Sequence, residues 1–236
     1  MILEQQQQRK VLQDVQNGAI YEHNHLIGWR RKWIELRCIK SQIADEIIRT
    51  HHYSGKATSN RFLSMGVYYQ SKLLGAVQLG YGIRPKIKGT WGDDVTGENS
   101  REFDRMWLSD ECPKFSESIV LSCLERYLIH AYPNIKYLIT YADGSVGNTG
   151  TIYKAANYKP MGSIKADFYI LPTGERVHPV TMWHRHKTRA WAFLQEQYPG
   201  IKKADGRQYK FIKRLRSLSQ QITSEDEQLN LFRGIK

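Results

Sequence analysis

Glu102 and Asp104 stand two residues apart in the run Glu102-Phe103-Asp104-Arg105-Met106-Trp107-Leu108. Read as a strand, this run puts both carboxylates on one face, with Phe103, Arg105 and Trp107 on the other. Two like charges that close raise one another's proton affinity or share a cation, so the pair reads as a general base, a metal ligand, or partners of neighbouring Arg or Lys. Asp143 ends a second strand-like run at Tyr141-Ala142-Asp143-Gly144, where it either reaches a ligand at a sheet edge or caps a turn. His51-His52-Tyr53-Ser54-Gly55-Lys56 gathers two imidazoles, a phenol, a hydroxyl and an amine at a predicted helix end. There imidazole could exchange a proton or bind metal, or simply complement the helix dipole. Tyr153 is either a phenolic acid or a core tyrosine.

Ser116-Glu117-Ser118 opens a predicted helix and offers N–H groups and two hydroxyls to an anion or carbonyl. Glu117 opposes a pyrophosphate there, and Pro113-Lys114-Phe115 has no glycine to let one approach. Between Trp183 and Arg216 stand ten basic residues, among them Arg185, Lys187, Arg189, Lys210, Lys213, Arg214 and Arg216, against only Glu196 and Asp205. That stretch carries +8 of a net +12 and interleaves the charge with Trp183, Trp191, Tyr198, Tyr209 and Phe211. Phosphate contacts combined with stacking suit this mixture, and a solvated helical face is the alternative.

The elements that must position these groups follow from periodicity. Ile34 to Ile39 reads as a strand, Ser41 as the cap of a helix with an Ile43, Ile47, Ile48 stripe, and Gly55 as its stop. Arg61–Gln70 and Lys72–Tyr81 form a hairpin inside the sheet. The polar segment Pro85–Ser100 reads as a functional or mobile loop. A strand over Glu102–Leu108, a helix from Ser116 to Pro133, a strand over Tyr137–Asp143 and a short helix from Thr149 to Tyr158 come next. Ala166–Leu171 then pairs with Val177–Thr181, and a helix runs from Met182 to Gln197. The order predicts an α+β domain with a mixed central sheet. It comprises a flexible arm over residues 1–30, a catalytic domain over 31–181 and a basic helical extension over 182–236.

With 236 residues, 41% hydrophobic and 25% charged, the chain has the makings of one core with an appendage. It contains no apolar run long enough to span a membrane, and MILEQQQQRK lacks the apolar stretch of a signal peptide. Three cysteines without CxxC or Cys/His spacing predict neither a disulfide framework nor a structural zinc site, and fit a reducing cytoplasm.

The order of elements and Gly150-Thr151-Ile152-Tyr153-Lys154-Ala155-Ala156-Asn157-Tyr158 resemble the Gcn5-related N-acetyltransferase (GNAT) fold. Within that superfamily the chain resembles the Mom-type DNA modification proteins of bacteriophages more closely. The resemblance rests on His52-Tyr53-Ser54-Gly55, the Glu102–Leu108 run, Ser116-Glu117-Ser118, Tyr141-Ala142-Asp143 and the Gly150–Asn157 stretch, within residues 34–215. It implies an enzyme of the bacterial host cytoplasm that converts adenine in duplex DNA to a carbamoylmethyl derivative at the exocyclic amine, protecting phage DNA from restriction.

Asp104 or Asp143 would then accept the amine proton from an extruded base, with Glu102 beside the former. Tyr153 or His52 would assist the leaving group. Tyr53, Lys56, Arg105, Ser116, Ser118 and Asn157 would bind substrate. The donor is a small or carrier-bound molecule that the resemblance does not fix. Acetyl-coenzyme A is disfavoured by the missing glycine-rich loop, and participation of a divalent metal such as iron is left open. A noncatalytic DNA-binding protein and an acetyl-coenzyme A-dependent N-acetyltransferase acting on protein or RNA are the alternatives.

Overall fold

The computed structural model describes residues 10–82 and 90–215. Its elements run α1 (residues 10–16), β1 (Ala19–Glu22), β2 (His25–Arg31), β3 (Ile34–Cys38), α2 (Ser41–His51), β4 (Arg61–Tyr69), β5 (Lys72–Gly80), β6 (Ser100–Leu108), α3 (Ser116–Ala131), β7 (Tyr137–Asp143) and α4 (Thr151–Ala155). Then follow β8 (Lys159–Lys165), β9 (Tyr169–Ile170), β10 (Arg176–Val177), α5 (Pro179–His186), α6 (Trp191–Gln197), β11 (Lys202–Lys203) and β12 (Arg207–Arg214). They divide into two units, one of residues up to 140 with 152–159 and 212 onward, the other of residues 141–151 with 160–211. The boundary expected after residue 181 falls inside α5.

In the first unit, strands β1 to β6 are antiparallel neighbours in chain order. Strand β7 joins β6 in parallel over Ser100↔Tyr137 to Phe103↔Thr140. The sheet is therefore mixed and the domain α+β, as the periodicity predicts. Helix α3 buries Val120, Leu121, Leu124 and Leu128, and α2 packs Ala44 and Ile48 onto Ala76 of β5. The Ile43 of the expected stripe is exposed, and the third buried position of α2 is Asp45. Lys40 rather than Ser41 is the N-cap residue, and no side chain caps that end. Of the expected 85–100 loop, residues 83–89 lie outside the described residues.

Of the expected N-terminal arm, residues 1–9 lie outside the described residues, 10–16 form α1, and Ala19–Glu22 and His25–Arg31 are instead part of the sheet. Ala19, Ile20 and Trp29 are buried, and Trp29 packs its ring 4.5 Å from that of His130 on α3. Glutamine-rich neighbours conceal this short hairpin, whose turn residues His23 and Asn24 both adopt positive φ.

The second unit has its own core of Tyr169, Leu171, Val177, Met182, Leu194 and Ile201, under the small sheet β10-β9-β11. The expected pairing of residues 166–171 with 177–181 shrinks to Ile170↔Arg176 and Tyr169↔Val177, because Pro179 starts α5 and His178 Nδ1 caps it by accepting from Val180 N. The expected continuous helix over Met182–Gln197 is two. Lys187 turns left-handed at φ 56° and closes α5 through its N–H to the Trp183 carbonyl, and Thr188 Oγ1 then accepts from Ala190 N ahead of α6.

The expected helical extension is also corrected, since Arg207–Arg214 is a strand with Phe211 and Ile212 buried. Residues 216–236, Arg216 among them, lie outside the described residues.

If residues 19–31 are structural, Trp29→Ala should lower unfolding free energy by about 3–5 kcal/mol in a denaturant titration. A loosely held arm would show no change.

Candidate active site

A β-bulge in β6 organises the site. Gln78 of β5 pairs with Arg105 and Leu79 with Phe103, so Asp104 is the extra residue. Strict alternation therefore fails here. The expected opposition of Asp104 and Arg105 gives way to an arrangement in which Arg105 lies within electrostatic reach of Asp104, His52 and Tyr153. Its Nη1 donates to the Asp104 carbonyl at 2.7 Å, and its Nε donates to the Lys56 carbonyl at 3.0 Å. Gly80 makes the room, since a Cβ there would lie 2.4 Å from Asp104 Oδ2 and 2.8 Å from the Asn60 carbonyl oxygen. Periodicity alone gave no signal for the bulge; Gly80 ending an otherwise apolar strand is the trace it leaves.

Burial pushes the Asp104 carboxyl up. Thr58, whose buried Oγ1 has no partner within hydrogen-bond geometry, the Arg105 charge and the neighbouring Glu102 pull in the opposite direction. Glu102 is thus close to Asp104, and it lowers rather than raises that carboxyl's proton affinity.

Tyr153 is buried, and its phenol is pushed up to about 12, first by burial and then opposed by a hydrogen bond with Thr140. It is therefore protonated at neutral pH. Its ring meets Phe103 edge-on at 6.0 Å and tilts against Tyr158 at 5.6 Å. Thr140, fully buried, donates from Oγ1 to the Phe103 carbonyl at 2.9 Å and fastens β7 to β6 at their last register pair. Thr58 and Thr140 are the site residues that sequence reasoning missed, because a lone threonine in or near a strand carries no pattern.

His52 ends α2. Burial, then the Arg105 charge, lowers its pKa to about 4, so it is neutral at pH 7. Its Nδ1 lies 2.8 Å from Ser54 Oγ and accepts from Ser54 N at 3.2 Å, which assigns the ring proton to Nε2. Tyr53 is exposed and stacks obliquely on His52 at 4.3 Å, while His51 stacks on Trp107 at 4.2 Å.

The other expected site residues stand elsewhere. Asp143, in the second unit, accepts from Ser145 N at 3.0 Å and Ser145 Oγ, and pairs with Arg176 at 3.2 Å. Of its two readings this geometry matches the capped turn. Ser116 is buried, donating from Oγ to the Pro113 carbonyl at 2.6 Å and accepting from Trp33 Nε1 at 3.2 Å. Both its hydrogen-bonding functions are thus engaged inside the protein. Ser118 is half-buried on the first turn of α3. Asn157, at φ 60°, forms the left-handed turn after α4.

Among the expected DNA contacts, Arg185 pairs with Glu175 at 2.8 Å, whereas Lys187, Arg189 and Arg214 are exposed. Lys210 is half-buried on β12. Lys213 points inward, with Nζ 2.6 Å from the Ala156 carbonyl and 3.6 Å from Glu125 Oε2. Among the described residues no three His, Cys, Asp or Glu side chains are grouped to hold a metal ion, and no helix is long and apolar enough to cross a membrane.

A half-buried carboxyl pair, an un-ionised phenol and a neutral imidazole near one bulge are groups that can carry out acid–base chemistry. The chain belongs to the Mom protein family, whose sequence pattern matches residues 33–228. It is 32% identical over 164 residues to the methylcarbamoylase Mom of Escherichia phage Mu, covering 70% of this chain and 68% of that protein. Among solved structures it is similar to the ribosomal-protein-S5-alanine acetyltransferase from Vibrio fischeri, with TM-score 0.47 and 11% identity over 80% of this chain and 97% of that chain. It is likewise similar to a ribosomal L7/L12 α-N-protein acetyltransferase in complex with coenzyme A, with TM-score 0.45 and 10% identity over 78% and 96% of the two chains.

Gly80→Ala tests the bulge. The added methyl must displace Asp104 or the Asn60 backbone, so stability should fall by about 1–3 kcal/mol and DNA modification should fall with it. Unchanged modification would mean that Asp104 need not lie where Gly80 lets it lie.

Proposed function

We propose that this protein modifies adenine in duplex DNA at the exocyclic amine, adding a carbamoylmethyl group, with Asp104 as general base. The observation that carries the reading is the Asp104 carboxyl, half-buried on the β6 bulge among Glu102, Arg105 and Thr58 in the unit that also holds the protonated Tyr153. Family membership and the name of the phage Mu relative support the same chemistry.

Adenine's amine is a weak nucleophile because its lone pair is delocalised into the ring, and in duplex DNA it is paired and stacked. The base must therefore leave the stack. Its nitrogen then attacks the methylene carbon of the donor, the N–C bond forms as the bond to the leaving group breaks, and the amine proton passes to Asp104. Tyr153, un-ionised at neutral pH, gives its proton to the leaving group. His52, with Nδ1 engaged by Ser54, offers Nε2–H to the donor's amide oxygen. Tyr53, exposed beside His52, supplies an aromatic face for the base. Lys56 and Arg105 bring positive charge to the same corner, and Glu102 tunes Asp104.

The donor is a small or carrier-bound molecule related to glycine or its amide rather than free acetyl-coenzyme A. Phe115 at φ 70° precedes α3 where a glycine-rich loop would let a pyrophosphate approach, and Glu117 stands in the first turn. The grouped side chains do not form a metal ligand set, and no step here runs through a metal. Duplex DNA is held by exposed cations of the basic stretch, Lys187, Arg189 and Arg214 among them.

Mass spectrometry of nucleosides from plasmid DNA of a bacterium expressing the chain tests the activity. Asp104→Asn should lower modified adenine by about 100-fold or more while DNA affinity stays unchanged. Unmodified adenine with intact DNA binding in the wild type would indicate a noncatalytic DNA-binding protein. Turnover of acetyl-coenzyme A on peptide or RNA would indicate a conventional acetyltransferase.

Asp104 also links activity to stability. Its folded pKa is raised, so the folded state favours the protonated form. That contribution is fully present below the unfolded-state pKa of about 3.9 and is lost as pH rises through the folded value. Asp104→Asn should therefore denature at a higher midpoint than wild type at pH 7, and the gap should close in acid. A lower midpoint would identify Asp104 as a structural ion-pair partner.

A further inference from the structure

We propose that Gln78 and Asp45 are positioning residues, whose buried hydrogen-bond chain fixes the segment from His52 to Thr58 against the β6 bulge. The proposal rests on the reading of Asp104 as the base. Gln78 lies toward the C-terminal end of β5 and is 0% exposed, close to Ala76, where α2 packs its Ala44 and Ile48 on the sheet. An aliphatic side chain would serve packing there at lower cost, since an amide taken from water must recover both its donor and its acceptor bonds.

Gln78 recovers them in two directions. Its Nε2 donates to Asp45 Oδ1 at 2.6 Å, and its Oε1 accepts from the Thr58 backbone N–H at 3.0 Å. Asp45, buried on α2, is neutralised by Arg61 Nη2, which lies 2.7 Å from both carboxylate oxygens, and by Arg49 at 3.3 Å.

The consequence lies in the register. Gln78 is paired with Arg105, so it stands at one shoulder of the bulge that carries Asp104. The 52–58 segment is then tied at two points, with Lys56 O accepting from Arg105 and Thr58 N donating to Gln78. Between them these ties hold Thr58 beside Asp104, and they fix the end of the segment whose start is His52. Asp45 and Gln78 touch no reacting atom. They act through Thr58, and through it on Asp104 and His52.

The experiment adds purified full-length protein to a bacterial lysate, which supplies the donor, with plasmid DNA at buffered values from about pH 5 to about pH 9, and reads modified adenine by mass spectrometry. Gln78→Met keeps the side chain's length and removes its polar functions. It should lower the initial rate about tenfold or more with DNA affinity within about twofold of wild type. The acid limb of its rate profile should move to higher pH, because Thr58, which favours the ionised form of Asp104, is no longer tied in place through its backbone N–H.

Gln78→Glu alone sets two carboxylates face to face and should be at least as impaired. The double variant D45N/Q78E reverses donor and acceptor, keeps the Thr58 N–H satisfied and should recover most of the rate. This swap holds even if Gln78→Met does not fold. A Gln78→Met profile identical to wild type, or a folded D45N/Q78E no better than Gln78→Glu, would overturn the proposal. Asp104→Asn run in parallel separates the two readings. Wild-type modification by Asp104→Asn would overturn the base assignment, whereas its loss beside an unaffected Gln78→Met would overturn only the positioning role.

Discussion

The close approach of Asp104 to Gly80 is the constraint on which the site depends. A strand of regular pleat would send Arg105 to the face opposite Asp104. The bulge between Gln78 and Leu79 adds one residue to β6, lets the guanidinium reach the same group of side chains as the carboxylate, and leaves the following residues Met106 to Leu108 back in register with Val77 to Gly75. Strand pairing is thus kept on both sides of the irregularity. The irregular residue is the one whose half-buried carboxyl is pushed up, and a glycine on the neighbouring strand is what allows it to be there.

Burial then divides the roles among the ionisable groups. The same loss of water pushes Asp104 and Tyr153 up and His52 down, so each is driven toward its neutral form. What distinguishes them is partnership. Asp104 has Thr58 and Arg105 to favour ionisation, whereas Tyr153 stays protonated and the Arg105 charge further disfavours a charged His52. One arginine therefore acts with opposite sign on a carboxyl and an imidazole. The result is a potential proton acceptor beside two neutral donors, an assignment set by environment rather than by residue type.

Much of this was legible in the sequence where a residue's role follows from local spacing. Glu102 and Asp104 were readable as a close pair, the Arg61–Tyr69 and Lys72–Gly80 hairpin was clear in its alternation, and α3 was clear in its helical period. Illegible were features whose cause is long-range. Asp45 reads as a solvent-facing helix residue until Gln78, thirty-three positions away, and Arg61 are placed against it. Strand β12 was hidden because Lys210, Lys213 and Arg214 mask the alternation of Tyr209 and Phe211, and charge density suggested a helical face instead. The β1–β2 hairpin was hidden by the polar residues around Trp29.

The same masking changes what the net charge means. A count of basic residues treats every lysine and arginine as available to a polyanion, yet several are committed inside their own unit. Lys213 holds the Ala156 carbonyl just beyond α4, the helix that carries Tyr153, and pairs with Glu125, whose carboxyl burial pushes up and the Lys213 charge pulls down. Its ammonium also lies 5.6 Å from the centre of the Tyr158 ring, which in turn tilts against Tyr153. Arg207 donates to Ser163, and Arg176 is bound to Asp143 and Ser145. For Lys213 and Arg176, removal leaves a carboxylate unpaired, so a loss of DNA modification on mutating them would report on the fold as much as on phosphate contact. Lys187, Arg189 and Lys202 are exposed, whereas exposed Lys203 lies 5.1 Å from the centre of the Trp191 ring and exposed Arg214 acts on Asp94. Among the described residues, substitutions of Lys187, Arg189 and Lys202 therefore test attraction to DNA apart from the architecture of the site.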